Sequence, residues 1–165
     1  DVVLIEGGAS IGDYDFAETV CVSAGVHIHH RSVAIKPGKP NLFGVKAGKL
    51  VFGLPGNPVA ALLSLHVFVR PALEIMSGRP VTGLPTSNAR ITVSRTKKTG
   101  RLELLRGILS IDDNGDSIVT PVSAQDSHLL SGLSMANCLI HFPKDSECLA
   151  SGSIVQVTPF KWGLE

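Results

Sequence analysis

A chain of 165 residues with 44% hydrophobic and 18% charged side chains has room for one ordinary domain or two small ones and excludes intrinsic disorder. Its formal net charge of +1 gives no broad field to attract nucleic acid or a membrane surface, so any anion site has to be local. Cys21, Cys138 and Cys148 lie far apart without a C-x-x-C pair, which speaks against a disulfide framework or structural zinc and for a reducing, cytoplasmic setting.

The chain opens on Asp1 followed directly by Val2-Val3-Leu4-Ile5, with no initiator methionine, and so reads as a piece of something longer. Val2 to Ile5 is a continuous apolar run, the pattern of a strand covered on both faces in a mostly parallel sheet. Gly7-Gly8-Ala9-Ser10-Ile11-Gly12-Asp13-Tyr14-Asp15 follows it. Its glycines allow close backbone approach to a ligand, Ser10 offers a hydroxyl, and Asp13 and Asp15 place two carboxylates at i and i+2. The same stretch also serves as a plain strand-to-helix turn, with Asp15 capping a helix over 16–24 that Gly25 ends. Neither a Walker loop nor a dinucleotide fingerprint is present.

Val26 to Ile35 reads as a second strand with His27 and His29 on one face and His30 on the other, an exposed edge rather than a metal site. Lys36-Pro37-Gly38-Lys39-Pro40 then sets two ammonium groups three residues apart on a backbone that proline stiffens and keeps out of helix. Such a loop suits an anion, although an isolated basic turn has the same composition. Leu42 to Val45 and Leu50 to Phe52, joined across Lys46-Ala47-Gly48-Lys49, form a β-hairpin.

Gly53-Leu54-Pro55-Gly56-Asn57-Pro58 opens a helix with Asn57 at the N-cap and Pro58 in the first turn, and free N–H groups at such an end favour a phosphate-like anion. The apolar run from Val59 to Val69 is broken by Ser64 and His66 and stops at Arg70-Pro71, so it reads as a buried helix, not a membrane span. Pro71 kinks or restarts that helix, which ends at Ser77-Gly78. Glycine, proline, serine and asparagine crowd the stretch from Gly78 to Ala89, a linker. Beyond it, five short segments, at 90–96, 102–109, 117–120, 137–142 and 153–159, suggest a small barrel or sandwich. The expected organisation is a partial α/β domain over 1–79, a linker over 80–88 and a small all-β, barrel-like domain over 89–165.

Taken together and in order, the glycine-carboxylate loop, Lys-Pro-Gly-Lys-Pro and Gly-Leu-Pro-Gly-Asn-Pro resemble the molybdopterin molybdotransferases, or molybdenum insertases. Thr99-Gly100-Arg101-Leu102-Glu103, the run from Gln125 to Asn137 and the closing Gly152-Ser153-Ile154-Val155-Gln156-Val157 are similar to that family's C-terminal β domain. The resemblance implies transfer of molybdate onto adenylylated molybdopterin with release of AMP, in the C-terminal half of a molybdopterin-binding α/β domain followed by the β domain. Position by position it puts Lys36, Lys39, Arg101 and Ser127 on the molybdate site, with Lys36, Lys39 and Asp15 as catalytic residues. It sets Gly7, Gly8 and Ser10 on the pterin side and gives Pro55, Gly56, Asn57 and Pro58 the pterin-phosphate wall. Asp15, supported by Asp13, is implied as a Mg²⁺ ligand, since hard carboxylate oxygens suit that ion. Two positions depart from the family pattern: Ala60 replaces a common serine, and Asp126 stands beside Ser127 where glycine is frequent. The resemblance further implies preceding domains and a homodimer that completes the cleft. A non-catalytic scaffold or dimerisation module of the same ancestry is the alternative, and retention of Asp13, Asp15, Lys36, Lys39 and Arg101 together argues for the enzyme.

Overall fold

In the computed structural model, which describes residues 1–8, 16–79, 84–123, 125 and 131–160, the first half of the chain runs β1 (Val2–Glu6), α1 (Ala17–Ser23), β2 (His27–Ser32), β3 (Ile35–Lys36), β4 (Pro40–Lys46), β5 (Lys49–Leu54), α2 (Pro58–Ser64), a π-helical turn (Leu65–Val69) and α3 (Arg70–Met76). Four strands form one sheet in the order β1-β5-β4-β2. The two-residue turn between β4 and β5 is of the type that matches the twist of a hairpin, with Ala47 at φ 47° and Gly48 at φ 75°.

That turn corrects the expectation of a mostly parallel sheet. β1 and β5 run parallel, with Val2 opposite Leu50 and Glu6 opposite Leu54, but β4 pairs antiparallel with both β5 and β2. Among the described residues β1 lies at an end of that sheet, and its face coverage is incomplete, since Val3 and Leu4 remain 47% and 46% exposed. The strand does alternate between two packed faces. Ile5, Leu42 and Val51 pack with Cys21 of α1, whereas Val2, Leu50, Phe52 and Leu54 pack with Ala61 and Val69 of the helix on the other side. The layering is therefore helix, sheet, helix.

α1 begins one residue later than expected, with Phe16 in the N-cap position, and the proposed cap Asp15 lies outside the described residues. Its end is as read: Gly25 takes φ 78° and Val26 N–H donates to Cys21 O at 2.9 Å. Asn57 does cap α2, its side chain accepting from Ala60 N–H at 3.3 Å, with Pro58 in the first turn. Ahead of Pro71 the helix passes through the π-helical turn, an adjustment that accommodates the missing N–H, and Gly78 at φ 77° ends α3. From Pro58 to Met76 the helix is 19 residues and apolar enough, by length and composition, to cross a membrane. Here Val59, Leu63 and Val69 are fully buried in the first half of the chain.

The chain divides into two compact units, Asp1–Val81 and Thr82–Glu165. In the second, β6 (Ser87–Ile91), β9 (Ser117–Pro121), β8 (Leu102–Ile111), β10 (Cys138–Phe142) and β12 (Ile154–Pro159) are hydrogen-bonded in that cyclic order, a closed five-stranded barrel. β7 (Arg95–Thr96) and β11 (Cys148–Leu149) make a separate two-stranded ribbon, and α4 (Ser131–Ser134) precedes β10. Ile91, Val119, Cys138, Ile140, Phe142 and Val157 fill the barrel. The segment read as one strand over 90–96 is two, β6 and β7. β6 also begins inside the stretch read as linker, because Ser87 and Asn88 pair with Val157 and Gln156. A partner strand thus overrides the polar composition.

Candidate anion-binding site

Two glycine-containing loops meet at the carboxyl ends of the parallel pair β1 and β5. Gly7 N–H donates to Leu54 O at 3.2 Å, and a Cβ built on Gly56 would stand 3.4 Å from the Cα of Gly7. Gly7 and Gly8 take φ 78° and 64°, a left-handed region in which side chains are strained. Gly8 O in turn accepts from Ala17 N–H at 3.0 Å, so α1 starts against the same loop. The carboxyl end of parallel strands is where α/β sheets bind ligands, since helix N-termini and flexible glycine backbone converge there. Within the second loop Pro55 is buried, Asn57 half-buried, and Gly56 and Pro58 exposed.

Ala60 is buried in the first turn of α2, its N–H donating to Asn57 Oδ1. Ser10, Asp13 and Asp15 lie outside the described residues. Among the described residues no group of three or more His, Cys, Asp or Glu side chains comes together as a metal site.

The lysine loop is fixed from behind. Lys36 and Lys39 are exposed, while Gly38 between them is buried at φ 103°. The side-chain amide of Asn41 donates to Gly38 O and, at 3.0 Å, to Ser64 Oγ on α2. Asn41 and Ser64 are 5% and 0% exposed. Val33 N–H closes the other side of the loop on Lys39 O at 2.9 Å. The helix that Asn57 caps is thus also the wall against which the lysine loop is held, six residues or about 9 Å along its axis. Sequence reasoning missed this pair. Its signal was polar residues inside apolar stretches, Asn41 before Leu42-Phe43 and Ser64 within Val59–Val69.

Next to this staple, a cavity of about 280 Å³ lies between sheet and helix, lined by His30, Asn41, Phe43, Phe52 and Phe68 among others. The alternation expected for the histidines is broken by register shifts in β2. His29 and His30 both come to 5.6 Å from the Phe43 ring, while His27 meets His29 edge-on at 4.9 Å. All three histidines are exposed on an edge strand, as read.

In the second unit Arg101 is exposed, and its carbonyl accepts from Lys97 Nζ at 3.0 Å. Ser127 and Asp126 lie outside the described residues. Five residues on from Arg101, Arg106 is 0% exposed in β8. Its backbone is tied to Gln125: Arg106 N–H donates to Gln125 Oε1 at 3.1 Å and Gln125 Nε2 donates back to Arg106 O at 2.7 Å. With no exposure, the Arg106 side chain is enclosed within the second unit, whereas Arg101 is open to solvent. Sequence reasoning overlooked Arg106 because an arginine inside the short strand read over 102–109 is normally solvent-facing.

Comparisons with known proteins agree over nearly the whole chain. A family profile described as a probable molybdopterin binding domain matches residues 1–75, and one described as the MoeA C-terminal region (domain IV) matches 88–160. The molybdopterin molybdenumtransferase of Haemophilus influenzae is 35% identical over 161 residues, which are 97% of this chain and 40% of that protein. Molybdopterin molybdenumtransferase 2 of Mycobacterium tuberculosis is 36% identical over 162 residues, 95% of this chain and 39% of that protein. The crystal structure of a molybdopterin biosynthesis moeA protein from Pyrococcus horikoshii superposes with a TM-score of 0.74 at 30% identity, covering 97% of this chain and 37% of that one. The chain spans about 40% of the length of these curated relatives.

Proposed function

Because the chain belongs to the molybdopterin molybdenumtransferase family, matching a C-terminal portion of its members, we propose that it works in molybdenum cofactor biosynthesis by holding molybdate for transfer into adenylylated molybdopterin, with release of AMP. The observation that carries this reading is the lysine loop, stapled to the flank of the helix whose capped end meets the Gly7-Gly8 loop. Molybdate is a tetrahedral oxyanion, and two ammonium groups on a backbone fixed before the ligand arrives bind it without reorganisation.

In this reading Lys36 and Lys39 grip the oxyanion. Gly7, Gly8, Ser10 and Pro55 to Pro58 receive the pterin and its phosphate. Asp15, with Asp13, binds Mg²⁺ and takes part in catalysis. Ser127 and Arg101 take their molybdate-site places from the family resemblance alone, as a hydroxyl and a cation. The full-length protein acts as a cytoplasmic homodimer.

The test is molybdate binding to the full-length chain by calorimetry. Lys36→Ala combined with Lys39→Ala weakens binding at least tenfold, the loss expected when charge-assisted hydrogen bonds of about 1.5–3 kcal/mol each disappear. Unchanged affinity would remove the lysines from the site and leave a scaffold as the better description.

A further inference from the structure

We propose that Asn41 and Ser64 are positioning residues for the lysine loop, holding Lys36 and Lys39 at the spacing and orientation that the oxyanion requires; the inference rests on the reading of that loop given above. Prolines fix the local shape of Lys36-Pro37-Gly38-Lys39-Pro40, but shape alone does not place a loop against a helix. Placement comes from Gly38, buried so close that an added Cβ would stand 3.2 Å from Ser64 Oγ and 3.5 Å from Asn41 Nδ2.

A carbonyl oxygen can only accept, so the amide group facing Gly38 O has to be the NH₂ of Asn41. Its second N–H goes to Ser64 Oγ. Both donors of one buried side chain are thus used, one on the loop and one on the helix. Asn41 is itself anchored, because it stands in β4 directly before the ladder that opens with Leu42 opposite Gly53. A pair of apolar side chains could fill this space equally well, yet could hold neither the carbonyl nor the helix.

The experiment measures two things on the full-length chain: molybdate affinity by calorimetry, and hydrogen exchange at the Val33 amide, which reports loop docking through its bond to Lys39 O. Asn41→Asp keeps the shape and turns both donors into acceptors. It is expected to weaken molybdate about tenfold and to speed Val33 exchange, with the amides of the β4–β5 ladder unchanged. Ser64→Ala, which any helix accepts, shows both effects in smaller degree and decides the matter where the Asn41 variant does not fold. Lys36→Ala with Lys39→Ala serves as the contrast, losing affinity while Val33 exchange stays slow.

The proposal is overturned if Val33 exchange is unaltered in the folded variants, or if it accelerates while molybdate affinity holds. If the unmodified chain takes up no molybdate, the functional reading fails instead. Val33 exchange then decides alone whether Asn41 and Ser64 place the loop.

Discussion

Single atoms decide much of this molecule. A Cβ on Gly44 would stand 2.6 Å from Val26 Cγ1 and 2.8 Å from the carbonyl oxygen of His27, and that backbone atom has nowhere to go. Gly44→Ala should therefore destabilise the fold by about 1–3 kcal/mol in denaturant titrations, by overpacking. Protons act at the same scale. Burial holds the imidazoles of His66 and His141 below their ordinary 6.5, so the folded chain binds protons there less readily than the unfolded chain. That contribution to stability is complete above pH 6.5 and is lost as the pH falls below it. Burial pushes the Cys138 thiol from 9.0 up to about 12, which has the opposite sign: its contribution is complete below pH 9 and drains away between 9 and 12. Melting temperature plotted against pH should accordingly fall off on both sides of a plateau. Gln in place of His141 should flatten part of the acid limb.

Among the elements, those with local causes were readable and those with distant causes were not. Asn57-Pro58 starts a helix, Gly78 ends one and Ala47-Gly48 turns a hairpin, each by chemistry contained in a few adjacent residues. Ala47 is the imperfect member of that hairpin, a β-carbon at φ 47°. Ala47→Asn should stabilise the first unit by about 1 kcal/mol, visible as a higher denaturant midpoint with unchanged slope. By contrast, nothing near Ser87 or Asn88 says strand, because their partners Val157 and Gln156 are some seventy residues away. The irregular pairing of β2, which brings both His29 and His30 to Phe43, follows from its register on β4 and not from alternation along its own sequence. The lysine, glycine and proline positions of the candidate site were legible as motifs. Asn41 and Ser64 were not, since each owes its role to burial, which composition predicts against for polar residues.

For the whole molecule, the two units carry different liabilities. The five barrel strands close on one another, whereas among the described residues the first sheet ends at β1, with Val3 and Leu4 exposed. As a separate 165-residue chain the protein should therefore associate with itself, and Val3→Lys should shift its sedimentation toward the monomer; a monodisperse monomer before the substitution would contradict this. The closed barrel has another consequence. β6 and β12 are antiparallel neighbours, with Ser87 opposite Val157, so the strand that enters the second unit and the one that leaves it lie side by side. A gene segment encoding this unit could be spliced into a surface turn of an unrelated host without stretching either protein, or its ends joined and new ones cut in the Asp113-Asn114-Gly115 turn. The geometry thus makes the barrel transferable as a cassette.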